Sequence, residues 1–466
     1  MRTCASRWLS LGVLLCAGAA LAGPLPYRGV NLSSAEFGEH NLPGTHGTDY
    51  IYPDPAYTNY TTLDYYLAKG MTTFRLPFRW ERLQPTRGAA FNAAELTRLR
   101  TTVNRIVSKG GYVMLDPHNY ARYGAGVIGG AIPYSDFADF WSRLAQEFKG
   151  SPRILFGLMN EPHSMPTEQW VNAANSAIQA IRATGATNLI LVPGNAWTGA
   201  HSWSSSWYGT ANSVAMLQVS DPGNNLAFEV HQYLDSDSSG TASTCVSSTI
   251  GSQRMQNFTN WLRANGKRGF LGEVGGGRDS VCAAAIDNII DHLEANADVY
   301  LGWTYWAGGP WWGDYFMTLE PVSGVDRPQM DALESHLAPL PSCQSQTYEA
   351  ESMYHSNGGT VPEGWSLWSN GYMSTSHAFA GGATTLTVSA SGTPAAGVWP
   401  HMVVSVGGVR VGDVYATTWG WTQYTFTFNT TAGTKEIRVA FDNDHLTSTE
   451  DRNLRVDKVV VGCPSP

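Results

Sequence analysis

Between Tyr27 and about Ser335 short apolar runs recur at Tyr27–Leu32, Thr72–Leu76, Tyr112–Asp116, Ile154–Met159, Leu189–Val192, Ala227–His231, Phe270–Glu273 and Val299–Thr304. Runs this short and unbroken are the pattern of strands buried on both faces, as in a parallel sheet. Longer stretches with a helical period lie between them. In Asn92–Lys109 the residues Leu96, Leu99, Val103, Ile106 and Val107 share one face. Asn92 and Glu95 have capping-box spacing there, and Gly110-Gly111 ends the helix. Asp136–Phe148 gathers Phe137, Phe140, Trp141, Leu144 and Phe148. Eight strands alternating with helices over about 300 residues predict an α/β fold, a (β/α)8 barrel. A doubly wound open sheet has the same alternation, but no GxGxxG follows the first strand.

The pattern changes near Leu340. Pro339, Pro341, Ser342 and Gln344–Gln346 read as a linker. Beyond it, Thr385–Val388, Met402–Val406, Thr422–Phe428, Glu436–Phe441 and Val456–Val461 are rich in β-branched and aromatic residues, with Gly and Asn between them. No amphipathic stretch of helical length occurs here. The expectation is a barrel over 24–340, a linker over 341–347 and an all-β sandwich, jelly-roll-like, over 348–463. Residues 1–22 have the basic start, apolar centre and Ala20-Leu21-Ala22 ending of a signal peptide, which predicts secretion. No later run is long and apolar enough to predict a membrane span.

Composition narrows the chemistry. Charged residues are 14% of the 466 and the net charge is −9, which argues against disorder and against a grip on nucleic acid. The 17 tryptophans suit a core, or stacking against sugar rings. Four of the six cysteines lie beyond the signal segment, and four allow three pairings. An exported chain favours disulfides, and no CxxC points to zinc. The favoured pairs are Cys245–Cys282 and Cys343–Cys463, the second clasping both ends of the C-terminal module. The chain is expected to act as a monomer, with no cofactor for catalysis.

Barrel enzymes carry their chemistry at the C-terminal ends of the strands. Those ends hold Arg75, Asp116-Pro117-His118-Asn119, Asn160-Glu161-Pro162, His231-Gln232-Tyr233, Glu273 and Trp306. Two glutamates on one rim fit glycoside cleavage, in which one carboxylic acid protonates the leaving oxygen and the other carboxylate attacks or activates water. An arginine beside one glutamate favours its ionised form. Each acid taken alone fits a structural ion pair equally well; their convergence with the other polar residues is what points to a site. His118 and His231 read as hydrogen-bonded histidines rather than metal ligands. Trp197 and Trp203, in predicted βα loops, are candidate sugar-stacking residues.

The motifs Arg75-Leu76-Pro77, Leu115-Asp116-Pro117-His118-Asn119-Tyr120, Asn160-Glu161-Pro162, His231-Gln232-Tyr233-Leu234-Asp235, Gly272-Glu273 and Trp306 resemble glycoside hydrolase family 5. From Arg28-Gly29-Val30-Asn31 to Gly309-Pro310 the chain is similar to its endo-β-1,4-glucanase branch, and Pro193-Gly194-Asn195 with Trp197 to Trp203 adds to the match. The resemblance implies a retaining hydrolase of plant cell-wall β-glucan. Glu161 would be its acid/base and Glu273 its nucleophile. Asn160 would bind the sugar 2-hydroxyl, and Arg75 and Tyr233 would hold Glu273. His118, His231 and Trp306 would line the cleavage subsite. Mannan, xylan or xyloglucan are rival substrates, and a non-catalytic glycan-binding protein is the rival of another class.

The C-terminal segment, with Tyr348-Glu349-Ala350-Glu351, Phe441-Asp442-Asn443-Asp444, Asp451-Arg452-Asn453-Leu454 and Val456-Asp457, resembles calcium-dependent carbohydrate-binding sandwiches of families 36 and 60. That resemblance implies one Ca2+ near Glu349, Glu351 and Asp457 and a second near Asp442, Asp444 and Asp451. Glu349 and Glu351, two apart on a predicted strand, would face the same way.

Overall fold

The computed structural model describes residues 25–53, 62–337, 345–379, 382–430 and 433–462. The predicted signal segment, Cys343, Cys463 and most of the predicted linker lie outside these residues. The chain divides into two compact units.

The first unit is a closed barrel of eight parallel strands: β1 Tyr27–Leu32, β2 Thr73–Phe78, β3 Tyr112–Pro117, β4 Ile154–Gly157, β5 Ile190–Pro193, β6 Leu226–His231, β7 Gly269–Glu273 and β8 Tyr300–Gly308. Their order round the barrel is β1-β8-β7-β6-β5-β4-β3-β2, so closure between β1 and β8 excludes the open sheet. All eight expected strands form, each within a few residues of its expected bounds. Helix α1 is Thr62–Ala68, α2 Ala93–Ser108, α3 Tyr134–Phe148, α4 Thr167–Ala183, α5 Ile250–Ala264, α6 Ser280–Ala295 and α7 Pro328–Glu334. Asn92 caps α2 by accepting from the amides of Ala94 and Glu95 at 3.0 and 3.1 Å. The reciprocal half of the expected box is absent. Glu95 turns inward instead and accepts from the Tyr50 hydroxyl at 2.6 Å.

Strand side chains alternate between the barrel interior and the helix layer. The interior floor is apolar: Met114, Leu155, Leu191, Ala227 and Phe270 pack together with Tyr27 and Tyr112. Two positions further along the same strands, Asp116 replaces Met114 and Glu229 replaces Ala227, with His231 two beyond that. A dry floor and a charged upper storey are therefore written into single strands. A Cys245–Cys282 disulfide, Cα atoms 5.1 Å apart, ties the segment after β6 to α6.

The second unit is a β-sandwich. Its strands are β9 Gln346–Glu349, β10 Tyr354–His355, β11 Gly359–Val361, β12 Gly364–Leu367, β13 Gly371–Phe379, β14 Gly382–Thr393, β15 His401–Val406, β16 Val409–Tyr415, β17 Thr422–Thr430, β18 Gly433–Phe441 and β19 Asn453–Gly462. One sheet runs β11-β12-β19-β14-β17 with β9 also on β19, and the other runs β10-β13-β18-β15-β16. Leu386, Val388, Val456 and Val459 of the first sheet share a core with Met402, Val404, Ile437 and Val439 of the second. The first described strand of the module begins at Gln346, within the expected linker range of 341–347. Its first strand stops at Glu349, and Glu351 sits in a 3-10 turn, Ala350–Ser352, because Ala350 is drawn fully into the core. Glu349 and Glu351 therefore do not share a strand face as expected.

Candidate active site

The charged storey is organised round Arg75, which is wholly buried on β2. Its Nη1 donates to Glu273 Oε1 and to Asn31 Oδ1, both at 2.8 Å. Its Nη2 donates to Asn160 Oδ1 at 2.8 Å and lies 3.1 Å from Asp116 Oδ2. Its Nε lies 3.1 Å from Glu229 Oε1, an ion pair angled outside hydrogen-bond geometry. A planar guanidinium can meet partners on all its edges at once, which an ammonium cannot. Burial works against the charge on Arg75, but Asp116, Glu229, Glu273 and Glu161 outweigh it and raise its pKa.

Glu273, at the end of β7 and 4% exposed, is held on both oxygens. Arg75 takes Oε1, and the Tyr233 hydroxyl donates to Oε2 at 2.6 Å. Glu161 follows β4 with a left-handed backbone, φ 41°, a conformation that costs a non-glycine residue about 1–2 kcal/mol. His231 joins the two acids: its Nδ1 lies 2.8 Å from Glu161 Oε1 and 3.3 Å from Glu273 Oε2. One carboxylate oxygen from each glutamate and a nitrogen of His231 all lie within 4.8 Å of one another. Burial disfavours a charged His231, but Glu273, Glu161 and Glu229 together push its pKa up to about 10. Burial drives His118 well below the usual histidine range. Its Nδ1 shares a hydrogen bond of 2.8 Å with Asp116 Oδ2. Burial also pushes Asp116 up to about 7, against the pull of Arg75.

The structure thus brings Arg75, His118, Asn160, Glu161, His231, Tyr233, Glu273 and Trp306 to one end of the barrel. Trp306 stacks on His118 with centroids 5.5 Å apart. Both line an open cleft of about 560 Å³ with Glu36, Arg79, Tyr120, Trp311 and Trp312. Trp197, 41% exposed, stacks flat on His163 at 4.6 Å, with Tyr208 tilted against it at 6.0 Å. Trp203 does not join the site. It is fully buried among Phe228, Phe258 and Trp261, because the chain turns it down into the layer between barrel and helices. Sequence reasoning gave no role to Asn31, Glu36 or Glu229. Glu229 had a readable signal: in Leu226–His231 it and His231 are polar at alternate positions of an otherwise apolar strand.

Comparison with known proteins agrees with this geometry. Residues 30–309 match the family model described as cellulase, glycosyl hydrolase family 5. The chain belongs to glycoside hydrolase family 5. It is a glycoside hydrolase of the cellulase type. Endoglucanase 3 of Humicola insolens is 44% identical over 305 residues, which are 65% of this chain and 75% of that protein. Among solved structures, XacCel5A in complex with cellopentaose is 47% identical with a TM-score of 0.65, covering 67% of this chain and 99% of its own. Pseudomonas stutzeri endoglucanase Cel5A in complex with cellobiose is 37% identical with a TM-score of 0.62, covering 69% and 95%. Residues 385–465 match a second model, a Ca-dependent, xylan-binding carbohydrate-binding module of family 60.

The donors expected for calcium fit only in part. Among the described residues, neither Glu349, Glu351 and Asp457 nor Asp442, Asp444 and Asp451 converge as a trio of ligand atoms. Asp457 lies 3.4 Å from Lys458, and Asp442 is engaged by His401 at 2.7 Å. Asp451 accepts from Asn453 at 2.9 Å. By contrast, Asp444 Oδ1 and Asn453 Oδ1 are buried oxygens without hydrogen-bond partners. Orphaned oxygens of this kind are what a hard cation satisfies.

Proposed function

We propose that this family 5 hydrolase is a secreted, retaining endo-β-1,4-glucanase that opens internal bonds of cellulose or related β-glucans by double displacement. The observation that carries the reading is the unequal treatment of two close carboxylates. Glu273 is clamped at both oxygens by Arg75 and Tyr233, as a nucleophile must be to attack along one line. Glu161 is held on one side only, by His231, and is the more exposed of the two. One oxygen of each carboxylate lying within 4.8 Å of the other supports the short spacing of retaining enzymes, about 5–5.5 Å, over the about 6.5–9.5 Å of inverting ones.

In the first step Glu273 bonds to the anomeric carbon while Glu161 gives its proton to the departing glycosidic oxygen. In the second, Glu161 takes a proton from water, whose oxygen displaces Glu273 from the same carbon. Asn160 spends its carbonyl oxygen on Arg75, which frees its amide hydrogens for the sugar 2-hydroxyl. Trp306 and His118 form a flat wall for the ring at the cleavage point. The sugars named for the two solved relatives, cellopentaose and cellobiose, support a β-1,4-glucan as the chain in the cleft. A second reading, the same carboxylates acting on xylan or a related glycan, draws on the xylan-binding description of the C-terminal match. The domain division is proposed as signal 1–22, catalytic barrel 24–340 and a carbohydrate-binding module that starts at Gln346. Calcium would belong to that module, where Asp444 and Asn453 could supply oxygen ligands.

Proton NMR of freshly cleaved cello-oligosaccharides tests the mechanism. The first-formed reducing end is expected to be β, and an α product would overturn retention. Glu273→Gln is expected to abolish reducing-sugar release while leaving polysaccharide binding intact. A substrate panel with product-length analysis separates glucan from xylan and mannan.

A further inference from the structure

One of the deepest acids of the site, Glu229, has no part in the two steps above. It is 1% exposed, so it touches no substrate. One of its oxygens, Oε1, meets two nitrogens: Arg75 Nε at 3.1 Å and His231 Nε2 at 3.4 Å. Space is kept for it. A β-carbon at Gly272, the residue before Glu273, would come within 2.1 Å of the same oxygen. Both nitrogens of His231 therefore face carboxylates, and a neutral imidazole has only one N–H to give. The ring can donate on both sides only as the imidazolium.

We infer that Glu229 is a positioning residue: it anchors a proton on His231 Nε2 and braces Arg75 at Nε, so that His231 Nδ1–H holds Glu161 and Glu273 in register. The charged and titratable groups round the ring are Glu161 after β4, Glu273 on β7 with the Tyr233 hydroxyl on the same Oε2 that faces the ring, and Glu229 itself. Arg75 on β2 and Asp116 on β3 complete the shell. The shell is anionic on balance, which agrees with the high pKa of His231. Glu229 is itself kept low: burial opposes its charge, but Arg75 and His231 prevail. The inference rests on the proposed roles of Glu161 and Glu273 only for its effect on rate.

Two measurements test it. In wild-type protein labelled with 15N-histidine, the His231 ring is expected to carry protons on both nitrogens through neutral pH. A neutral ring at pH 7 overturns the inference whatever the roles of the glutamates. In Glu229→Gln, which keeps shape and removes charge, kcat is expected to fall about tenfold or more with KM within about twofold. The alkaline limb of its pH profile should move down by about one unit or more, and Glu229→Asp should restore it. A Glu229→Gln profile that superimposes on wild type, with only a lower melting temperature, makes Glu229 a packing residue and overturns the inference. If Glu229→Gln does not fold, the wild-type titration still decides.

Discussion

Replacing Arg75 by lysine keeps one positive charge in the barrel and removes the shape that distributes it. Arg75 makes three hydrogen bonds of 2.8 Å, to Asn31, Asn160 and Glu273, and two further ion pairs at 3.1 Å, to Asp116 and Glu229. An ammonium on a single stem reaches one side of that ring, so at least two charge-assisted contacts are lost. At about 1.5–3 kcal/mol for each such hydrogen bond, the loss is about 3–6 kcal/mol, and a carboxylate left buried without a cation adds to it. The barrel transition in calorimetry should fall by about 6 °C or more, taking about 2–4 °C per kcal/mol for a unit of this size. Activity on a soluble cellulose derivative should fall at least about a hundredfold, since Glu273 loses its fixed direction. A lysine variant that melts within about 2 °C of wild type and retains a third of its kcat would show that charge alone matters, and would refute the argument from guanidinium geometry.

Other outcomes follow from single contacts. Trp203→Ala should cost about 3–5 kcal/mol of stability with KM unchanged, whereas Trp197→Ala should raise KM with little change in melting; the reverse pattern would put Trp203 in the cleft. Breaking Cys245–Cys282, 37 residues apart in sequence, should cost about 4 kcal/mol, read as a lower melting temperature in the double serine variant. Burial raises Glu36 from 4.5 to about 7, and Asp116 rises likewise to about 7. Such groups hold protons more tightly when folded, so the stability they give is whole below about pH 4 and lost as pH rises through about 7. Melting should therefore fall between about pH 4 and 7, and Glu36→Gln should flatten the slope; a rising curve would contradict it. Chelation of calcium should weaken polysaccharide binding by the full chain, and unchanged binding would remove calcium from the module's function.

The alternation of buried strands and one-sided helices was enough to give the barrel, because each strand end is set by local apolar runs and their breaks. The polar residues at strand ends were legible because barrel topology sends every strand's C-terminal end to one rim. The short sandwich strands β10, β11 and β12 were not legible, since two- to four-residue strands carry no period of their own: β10 forms against β13, β11 against β12, and β12 against β19. Trp197 and Trp203 sit six residues apart in one loop with the same composition around them. Only the fold sends one to solvent and the other under the helices. Glu349 and Glu351 look like strand neighbours until the core claims Ala350 between them. The sequence by itself determined which side chains reach the rim. The tertiary structure decided how charge is shared there, because Arg75, Glu229, His231 and Glu273 come from three strands far apart in the chain, and their protonation depends on distances that exist only once the barrel closes.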